Sequence, residues 1–382
     1  GVYASTFGLN EGVHTVHYRA RDNAGNIETA RAAEFRVDNT SPVSAFGSSG
    51  QYFEAAGHKF APLSFIYSLT SADPVVNNVA SGVKFSEYRI DGVAFNTYTS
   101  AFSLTEGIRL VVYRSHDNVA NAELIKAATI YVDNTVPQSS LAISQPKHEA
   151  SGSIYVSTWT LFTLSSLDPV VNGVAAGVKD IRRRFGADAF VVYSAGFIAP
   201  NSDGDKVLEY YGADNVGNAE AAKSRTVKLD ATAPMTALTI TGGIQYADPA
   251  AGSFYASLAS RFGFAAVDPL NNSVASGVRQ TSWRDNNGAV AITISGLAFS
   301  EGRHELAYWT TDNVENVEVV RSTTILVDNS APVTEHHIGS PYYSAGGVNY
   351  ITPATPLNFS AADPVANEVS AGVARIETAV DG

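Results

Sequence analysis

Short runs in which hydrophobic and polar residues alternate follow one another along the chain, with turn-forming residues between them. In residues 42–136 this alternation predicts strands at 43–46, 63–69, 83–90, 108–115 and 123–132. One or two weaker strands are expected between Phe95 and Phe102. The pattern therefore predicts an all-β fold, with about seven short strands in each stretch of about 95 residues.

The strand at 108–115 shows the alternation most clearly, and it occurs four times. Each copy ends at an Asp-Asn pair, and an aliphatic residue lies six places before that aspartate and a small residue two places before it. These positions share one face of a strand with the residue four places before the aspartate, because side chains alternate with a period of two. That residue is a tyrosine in every copy: Tyr18, Tyr113, Tyr210 and Tyr308. We expect these tyrosines to be buried and structural.

A proline follows each of these strands, at Pro42, Pro137, Pro234 and Pro332, and the whole pattern has a period of about 96 residues. The period predicts tandem immunoglobulin-like β-sandwich domains, each large enough to bury its own core, with a barrel as the alternative. The predicted repeats are residues 42–136, 137–233 and 234–331, preceded by the second half of a repeat at 1–41 and followed by the first half of another at 332–382. We expect a segment of a longer repetitive chain, or subunits whose half-domains complete one another head to tail, or a fragment.

Composition narrows the classes of partner. The net charge is −12 and the sequence pI is about 5.1, so nucleic acid and anionic lipid surfaces would be repelled. The chain contains no Cys, which excludes disulfides and thiol catalysis and suits export. We predict an extracellular or cell-surface location, and no apolar run has the length that would span a membrane.

Three polar motifs recur in every copy. The Asp-Asn pair opens a turn at 22–26, 117–121, 214–218 and 312–316, and Asp and Asn are typical of such hairpin turns. Ala120 and Glu315 replace a glycine of this turn, so we expect that it does not require positive φ. A short linker stiffened by proline ends each repeat at 37–42, 132–137, 229–234 and 327–332. The third motif is a loop, Asp-Pro-x-x-Asn-x-Val-x-x-Gly-Val, at 73–83, 168–178, 268–278 and 363–373.

In an immunoglobulin-like topology this loop, the turn and the incoming linker share one pole of the sandwich. Carboxylate and amide oxygens would then converge at each boundary between repeats, and oxygen ligands of this kind suit Ca²⁺, so calcium is one interpretation. The other interpretation is three independent turns without a ligand. The candidate calcium ligands are Asp38, Asp73, Asn77, Asp117 and Asn121; Asp133, Asp168, Asn172, Asp214 and Asn218; and Asp230, Asp268, Asn272, Asp312 and Asn316.

The strand with Tyr-x-x-x-Asp-Asn-x-Gly-Asn, followed by Val-Asp-Asn-Thr-x-Pro, resembles the repeats of bacterial surface proteins with immunoglobulin-like or fibronectin-III-like domains, adhesins and fibres among them. The resemblance covers all four copies. It implies an extracellular location and a stalk or adhesive role, with calcium at domain junctions in some members. It supplies no catalytic residue, and the Asp-Pro-x-x-Asn loop departs from it.

No catalytic motif, phosphate-binding loop or dinucleotide fingerprint occurs in the sequence. We therefore predict a non-catalytic extracellular structural protein, a rod, stalk or filament of tandem β-sandwiches whose partners are copies of itself. One alternative is a surface adhesin that binds glycan or a host protein. Another is the spacer of a secreted polysaccharide- or wall-active enzyme.

Overall fold

The structure, a computed structural model, describes residues 1–243, 245–248, 253–292 and 295–380. Residues 244, 249–252, 293 and 294 of the predicted repeat 234–331, and residues 381 and 382 of the predicted half-repeat 332–382, lie outside the described residues. All regular elements in the described part are β-strands, so the prediction of an all-β fold is confirmed. In the same part of the chain, no helix with the length and apolar character of a membrane span is found.

Contacts divide the chain into two units. Unit 1 comprises Gly1–Ala142, Leu164–Ala195 and Glu209–Ser224, and unit 2 comprises Ile143–Thr163, Gly196–Leu208 and Arg225–Gly382. In unit 1 the chain begins with an antiparallel pair, β1 (Gly12–Tyr18) and β2 (Arg31–Val37).

Residues 42–136, also in unit 1, form a sandwich of two sheets around one core. The nine strands are β3 (Val43–Ser48), β4 (Phe53–Ala55), β5 (His58–Pro62), β6 (Ile66–Ala72), β7 (Val83–Ile90), β8 (Asn96–Thr97), β9 (Phe102–Ser103), β10 (Gly107–Asp117) and β11 (Lys126–Asp133). One sheet has the order β3-β6-β9 and the other β4-β5-β11-β10-β7-β8. Tyr67 of the first sheet and Val111, Ile130 and Val132 of the second are almost fully buried between them, which is the two-layer packing of a β-sandwich.

Residues 137–233 supply strands to both units. The eight strands are β12 (Gln138–Ile143), β13 (Lys147–Ala150), β14 (Ser153–Val156), β15 (Phe162–Leu167), β16 (Val178–Phe185), β17 (Val191–Val192), β18 (Gly204–Asp214) and β19 (Lys223–Leu229). In unit 1, β16 pairs with β17, and in unit 2, β13 pairs with β14, which runs parallel to the end of β19.

Unit 2 contains the sandwich of residues 234–331 and the half-repeat after it. The sandwich strands are β20 (Met235–Thr241), β21 (Gln245–Asp248), β22 (Ser253–Ala256), β23 (Arg261–Val267), β24 (Val278–Asp285), β25 (Gly302–Asp312) and β26 (Arg321–Val327). Phe262, Leu306 and Ile325 form the centre of its core. The half-repeat consists of two hairpin-like pairs, β27 (Val333–Ile338) with β30 (Leu357–Ala362) and β28 (Tyr342–Ala345) with β29 (Val348–Ile351).

Two sequence expectations need correction. In residues 42–136 the structure has nine strands, two more than expected, because the hairpin β4–β5 was not predicted; the weak strands near 95–102 are present as β8 and β9. Burial is confirmed for Tyr113, Tyr210 and Tyr308, which are 7–8% exposed, but it is wrong for Tyr18, which is 52% exposed. Tyr18 lies in the two-stranded sheet β1–β2, over which the described residues pack no second sheet.

Candidate metal sites at the junctions between repeats

Each Asp-Pro-x-x-Asn-x-Val loop folds around a tight two-residue turn. In the loop 73–83, Val76 and Val79 exchange both backbone hydrogen bonds, at 3.0 and 2.9 Å, and Asn77 and Asn78 between them have φ of 47° and 60°. A turn with positive φ at both central residues favours Asn or Gly, which explains the recurring asparagine. The valine that closes the turn is at most 4% exposed in every copy: Val79, Val174, Val274 and Val369. The loop is therefore an ordered element anchored in its own repeat.

Two aspartates bind the backbone at the end of this loop. In the loop 168–178, Asp168 Oδ2 accepts the Gly177 N–H at 2.7 Å, and Asp133 Oδ2 from the preceding linker accepts the Ala176 N–H at 2.6 Å. The linker aspartates Asp38, Asp230 and Asp328 accept the equivalent N–H at 2.6 Å in the other copies. The linker is thus tied to the loop of the repeat that follows it.

The third aspartate opens the turn after the long strand. Asp214 Oδ1 accepts the N–H of Val216 at 2.9 Å and of Asn218 at 2.8 Å, which organises the turn. The expectation that this turn does not require positive φ is wrong. Ala120 and Glu315 have φ of 74° and 71°, in the same region as the glycines of the other copies. The repeated hydrogen bonds hold these two residues in a conformation that costs on the order of 1 kcal/mol.

These elements bring three carboxylates together at each of three junctions. We number the junctions along the chain and call the second one the central junction. Each of the three contains a linker, a loop and a turn aspartate, and an oxygen of every carboxylate lies within 4.8 Å of the others. The first junction contains Asp38, Asp73 and Asp117, the central junction Asp133, Asp168 and Asp214, and the third junction Asp230, Asp268 and Asp312. A fourth junction has the same linker and loop contacts from Asp328 and Asp363.

One carboxylate oxygen at each junction has no hydrogen-bond partner among the described residues. It is Oδ1 of the loop aspartate, in Asp73, Asp168, Asp268 and Asp363. At the central junction the whole Asp168 residue is only 7% exposed, and Asp133 and Asp214 beside it are 0% exposed. A buried carboxylate oxygen without a donor or cation is costly, so this oxygen can accept a further partner, either a cation or a water molecule.

The pKa values of these carboxyls reflect that crowding. Burial, followed by the charges of Asp133 and Asp214, raises the pKa of Asp168. Burial, followed by the charges of Asp230 and Asp312, raises the pKa of Asp268 to about 6. At the first junction burial also acts to raise the pKa of Asp38, but hydrogen bonds from Ser81 and Thr40 outweigh it, so the pKa is lowered.

The six candidate asparagines lie beside the carboxylates in two other roles. Asn121, Asn218 and Asn316 donate from Nδ2 to the turn aspartate, at 2.7, 2.7 and 2.6 Å, and to the carbonyl oxygen of the linker aspartate. They therefore orient the carboxylates and present nitrogen, where the sequence analysis expected oxygen ligands. Asn77, Asn172 and Asn272 face the preceding repeat.

Their neighbour in that repeat is a glycine at the start of the long strand. The Cβ of Asn172 would lie 3.3 Å from a Cβ added at Gly107, whose φ of 121° is in the region that favours glycine. The carboxylate just before this glycine binds the linker, since Thr135 Oγ1 donates to Glu106 Oε1 at 2.6 Å. Thr232 donates to Asp203 and Ser330 to Glu301 in the same way. Each junction is thus closed by contacts from the repeat on either side.

A second set of buried carboxylates was missed in the sequence. Glu220 Oε1 accepts the N–H of Ser139 at 3.1 Å and of Gly212 at 2.9 Å, and its Oε2 pairs with Lys223 at 2.9 Å. Glu123 with Lys126 and Glu318 with Arg321 repeat the arrangement. We call these three the strand clamps, because they tie the first strand of a repeat to its last hairpin. Their signal was a Glu six places after each turn aspartate.

No protein family and no curated protein matches the chain in sequence. Among solved structures, it is similar to the fibronectin(III)-like modules of CbhA from Clostridium thermocellum, with 14% identity, 49% of this chain and 94% of that chain covered, and a TM-score of 0.27. It is also similar to a tetra-tandem repeat in the extending region of a large adhesion protein, with 18% identity, coverage of 84% and 82%, and a TM-score of 0.27.

A third similar structure belongs to a 1.5-MDa bacterial ice-binding adhesin, with 11% identity, coverage of 76% and 99%, and a TM-score of 0.29. TM-scores of this size carry no argument about function. The identification of the chain as a tandem array of immunoglobulin-like and fibronectin-III-like β-sandwich repeats rests on its own sheets and on the contacts that recur in every copy.

Proposed function

We propose that this chain is a non-catalytic, extracellular structural array in which calcium bound at the junctions holds successive sandwich repeats in a fixed relation, as in a stalk or filament. The observation that carries the proposal is the central junction. There three buried aspartates meet, and Asp168 Oδ1 has no hydrogen-bond partner in the described residues. A group of three equivalent aspartates that recurs at successive boundaries acts on the relation between repeats, where a catalytic role would need only one copy.

The donors present fit Ca²⁺. It takes six to eight oxygen ligands at about 2.3–2.6 Å, so two ligands on one ion lie at most about 5 Å apart. The oxygens of each triad lie within 4.8 Å of one another, which meets this limit. Their three negative charges favour a hard divalent cation, and no nitrogen or sulfur ligand belongs to the triads. The backbone N–H groups that each carboxylate already binds hold it in place, so little order is lost when the ion binds.

The ion would join three segments of the chain. The linker supplies Asp133, the loop supplies Asp168 and the turn supplies Asp214, so one ligand comes from the connection between repeats and two from the repeat that follows. With the ion in place the linker cannot swing away from that repeat without breaking a carboxylate–calcium contact. The close approach of Gly107 to Asn172 and the hydrogen bond from Thr135 to Glu106 support the other side of the same junction.

The proposal includes an extracellular location, where calcium is abundant enough to fill such sites. Extracellular modules commonly bind calcium with dissociation constants of about 10⁻⁴–10⁻³ M, a range in which calcium outside the cell is sufficient. A cysteine-free chain also suits export. Association with further copies of the chain belongs to the same proposal, and sedimentation velocity with and without calcium tests it.

Small-angle X-ray scattering on the 382-residue chain tests the structural role. In calcium we expect the profile of a particle with fixed junctions, and in chelator an increase in flexibility in the Kratky plot, because the linkers are released. The chain with Asp73, Asp168 and Asp268 all changed to Asn is the control, and calcium should not restore the stiff profile to it. Identical profiles for the wild type in calcium and in chelator would sink the proposal.

A second candidate function, adhesion to a glycan, is favoured by one observation. The hairpin that precedes the second core strand carries two facing rings in each repeat, with centroids 6.1 Å apart in all four copies: Phe53 and Phe60, His148 and Tyr155, Tyr246 and Tyr255, and Tyr343 and Tyr350. Tyr343 and Tyr350 are 68% and 58% exposed, and such rings offer flat apolar faces to a ligand. A glycan array tests this candidate. If the wild type binds no glycan, or if Tyr343→Ala does not weaken the binding, the candidate is removed.

A further inference from the structure

The three triads are made of the same three groups but do not have the same surroundings. All three carboxylates are buried at the central junction, where the exposed fractions are 0%, 7% and 0%. At the third junction Asp230 and Asp312 are buried and Asp268 is half-buried. At the first junction only Asp117 is buried. Because the charge and the number of carboxylates are equal, any difference in affinity must come from this burial.

Burial strengthens the attraction between a carboxylate and a cation in two ways. The lower local dielectric constant increases the Coulomb energy, and dissolved salt screens a buried pair less than an exposed one. The cost of removing water from the carboxylates is already met by folding at the central junction, whereas half-exposed Asp38 and Asp73 must give up water when an ion binds. The ion therefore gains most at the central junction.

We infer that the junctions bind calcium in the order of their burial, the central one most tightly, then the third, then the first. Falling calcium would accordingly release the chain in steps, first between the half-repeat 1–41 and the repeat 42–136 and last at Asp133. This inference rests on the proposed calcium role. It adds that the array has graded flexibility, with one junction that stays fixed at calcium concentrations where another is free.

Isothermal titration of the calcium-free 382-residue chain with Ca²⁺ tests the order. Asp73→Asn, Asp168→Asn and Asp268→Asn change the same loop position at the three junctions. We expect Asp168→Asn to remove the tightest step and to weaken the first binding event about tenfold or more, and Asp73→Asn to remove the weakest step and leave the first within about twofold. Asp363→Asn, at the fourth junction, is the matched control and should leave all three steps in place.

The order is wrong if Asp73→Asn removes the tightest step or if the three variants have equal effects. Absence of any calcium binding by the wild type would overturn the calcium role itself, which distinguishes the two failures. Hydrogen exchange of the wild type at graded free calcium gives a second measurement that needs no variant. Protection in the loop 73–83 should fall at a higher calcium concentration than protection in the loop 168–178, and the reverse order would overturn the inference.

Discussion

The chain buries carboxylates in two kinds of place and compensates them differently. A strand clamp such as Glu220 lies against Lys223 and two backbone N–H groups. A junction carboxylate such as Asp168 instead faces Asp133 and Asp214 and keeps one oxygen without a partner among the described residues. The Glu220 side chain and the Asp168 residue are each 7% exposed, so burial does not account for the difference.

The pKa directions follow from these partners. Burial acts to raise the pKa of Glu220, but hydrogen bonds from Ser139 and Lys223 outweigh it, and the pKa is lowered. At Asp168 burial and two further carboxylates act together, and the pKa is raised. A repeat therefore completes its clamps with its own residues, while at the junctions the proposed partner is a cation from solution.

The largest expected effect is at a strand clamp. Glu220→Ala leaves the Lys223 ammonium and two buried N–H groups without their acceptor, and we expect the free energy of unfolding to fall by about 3–5 kcal/mol. The loss should be the same in calcium and in chelator, measured by urea denaturation. Glu149→Ala is the control in the same repeat, because its ion pair with Lys147 is exposed and is worth about 0.5 kcal/mol. A loss below about 1 kcal/mol, or one that depends on calcium, would make the clamp no different from a junction.

The next largest effect is a change in stability whose sign depends on whether calcium is present. Asp168→Asn removes one of three facing charges, so in chelator we expect the thermal midpoint to rise, corresponding to about 2 kcal/mol or less. In saturating calcium the same variant should be less stable than the wild type by about 2 kcal/mol, because it loses ion binding. Asp188→Asn, at an exposed position of the same repeat, should change neither value. The same sign in both conditions would contradict the need for an ion.

A smaller effect depends on pH. The pKa of Asp268 is raised to about 6 by burial, Asp230 and Asp312, so without calcium the folded chain keeps a proton there that the unfolded chain releases near pH 4. The free energy of unfolding should therefore fall as the pH rises from about 4 to about 6. Asp268→Asn should lessen this fall and exceed the wild type by about 1 kcal/mol at pH 7 in chelator, with no difference at pH 4. If thermal unfolding shows the same pH dependence for the wild type and for Asp268→Asn, protonation of Asp268 is excluded as its cause.

The smallest effect concerns the backbone alone. Ala120→Gly relieves the positive φ of 74° in the turn after Asp117, and we expect a gain of about 0.5–1 kcal/mol. The gain should be equal with and without calcium, because the substitution leaves every carboxylate in place. At the third junction the difference between Glu315→Gly and Glu315→Ala gives the matched value, because both substitutions remove the carboxylate that pairs with Arg279. A calcium-dependent gain in thermal unfolding would mean that the turn conformation is coupled to the ion.

The sequence predicted the sandwich and the meeting of the aspartates for related reasons. Alternation marks which face of the strand at 108–115 is buried, and a fixed spacing in each copy places the linker, the loop and the turn at one pole. The hairpin β4–β5 was not predicted because its turn has Ala56, with φ of 50°, before Gly57, and Ala is not typical of positions with positive φ. Its parallel pairing with β11 joins residues far apart in sequence, which no local pattern reports.

The chemistry of the junction was predicted only in part. Spacing could bring Asp168 near Asp133 and Asp214, but which oxygen stays without a donor depends on three-dimensional hydrogen bonding. The asparagines show the same limit, since an amide can present oxygen or nitrogen and Asn218 presents Nδ2 to Asp214. In the sequence the strand clamps show only as a constant spacing between the turn aspartate and a Glu. That Glu220 accepts hydrogen bonds from the first strand depends on the fold, which brings that strand beside it.

The most direct test of the account is the number of calcium ions bound per 382-residue chain at equilibrium in dialysis against about 10 mM calcium, counted by atomic emission. The account predicts three ions per wild-type chain, one for each triad, and two in Asp168→Asn. A wild-type chain that binds no calcium, or an Asp168→Asn chain that binds as many ions as the wild type, would contradict it.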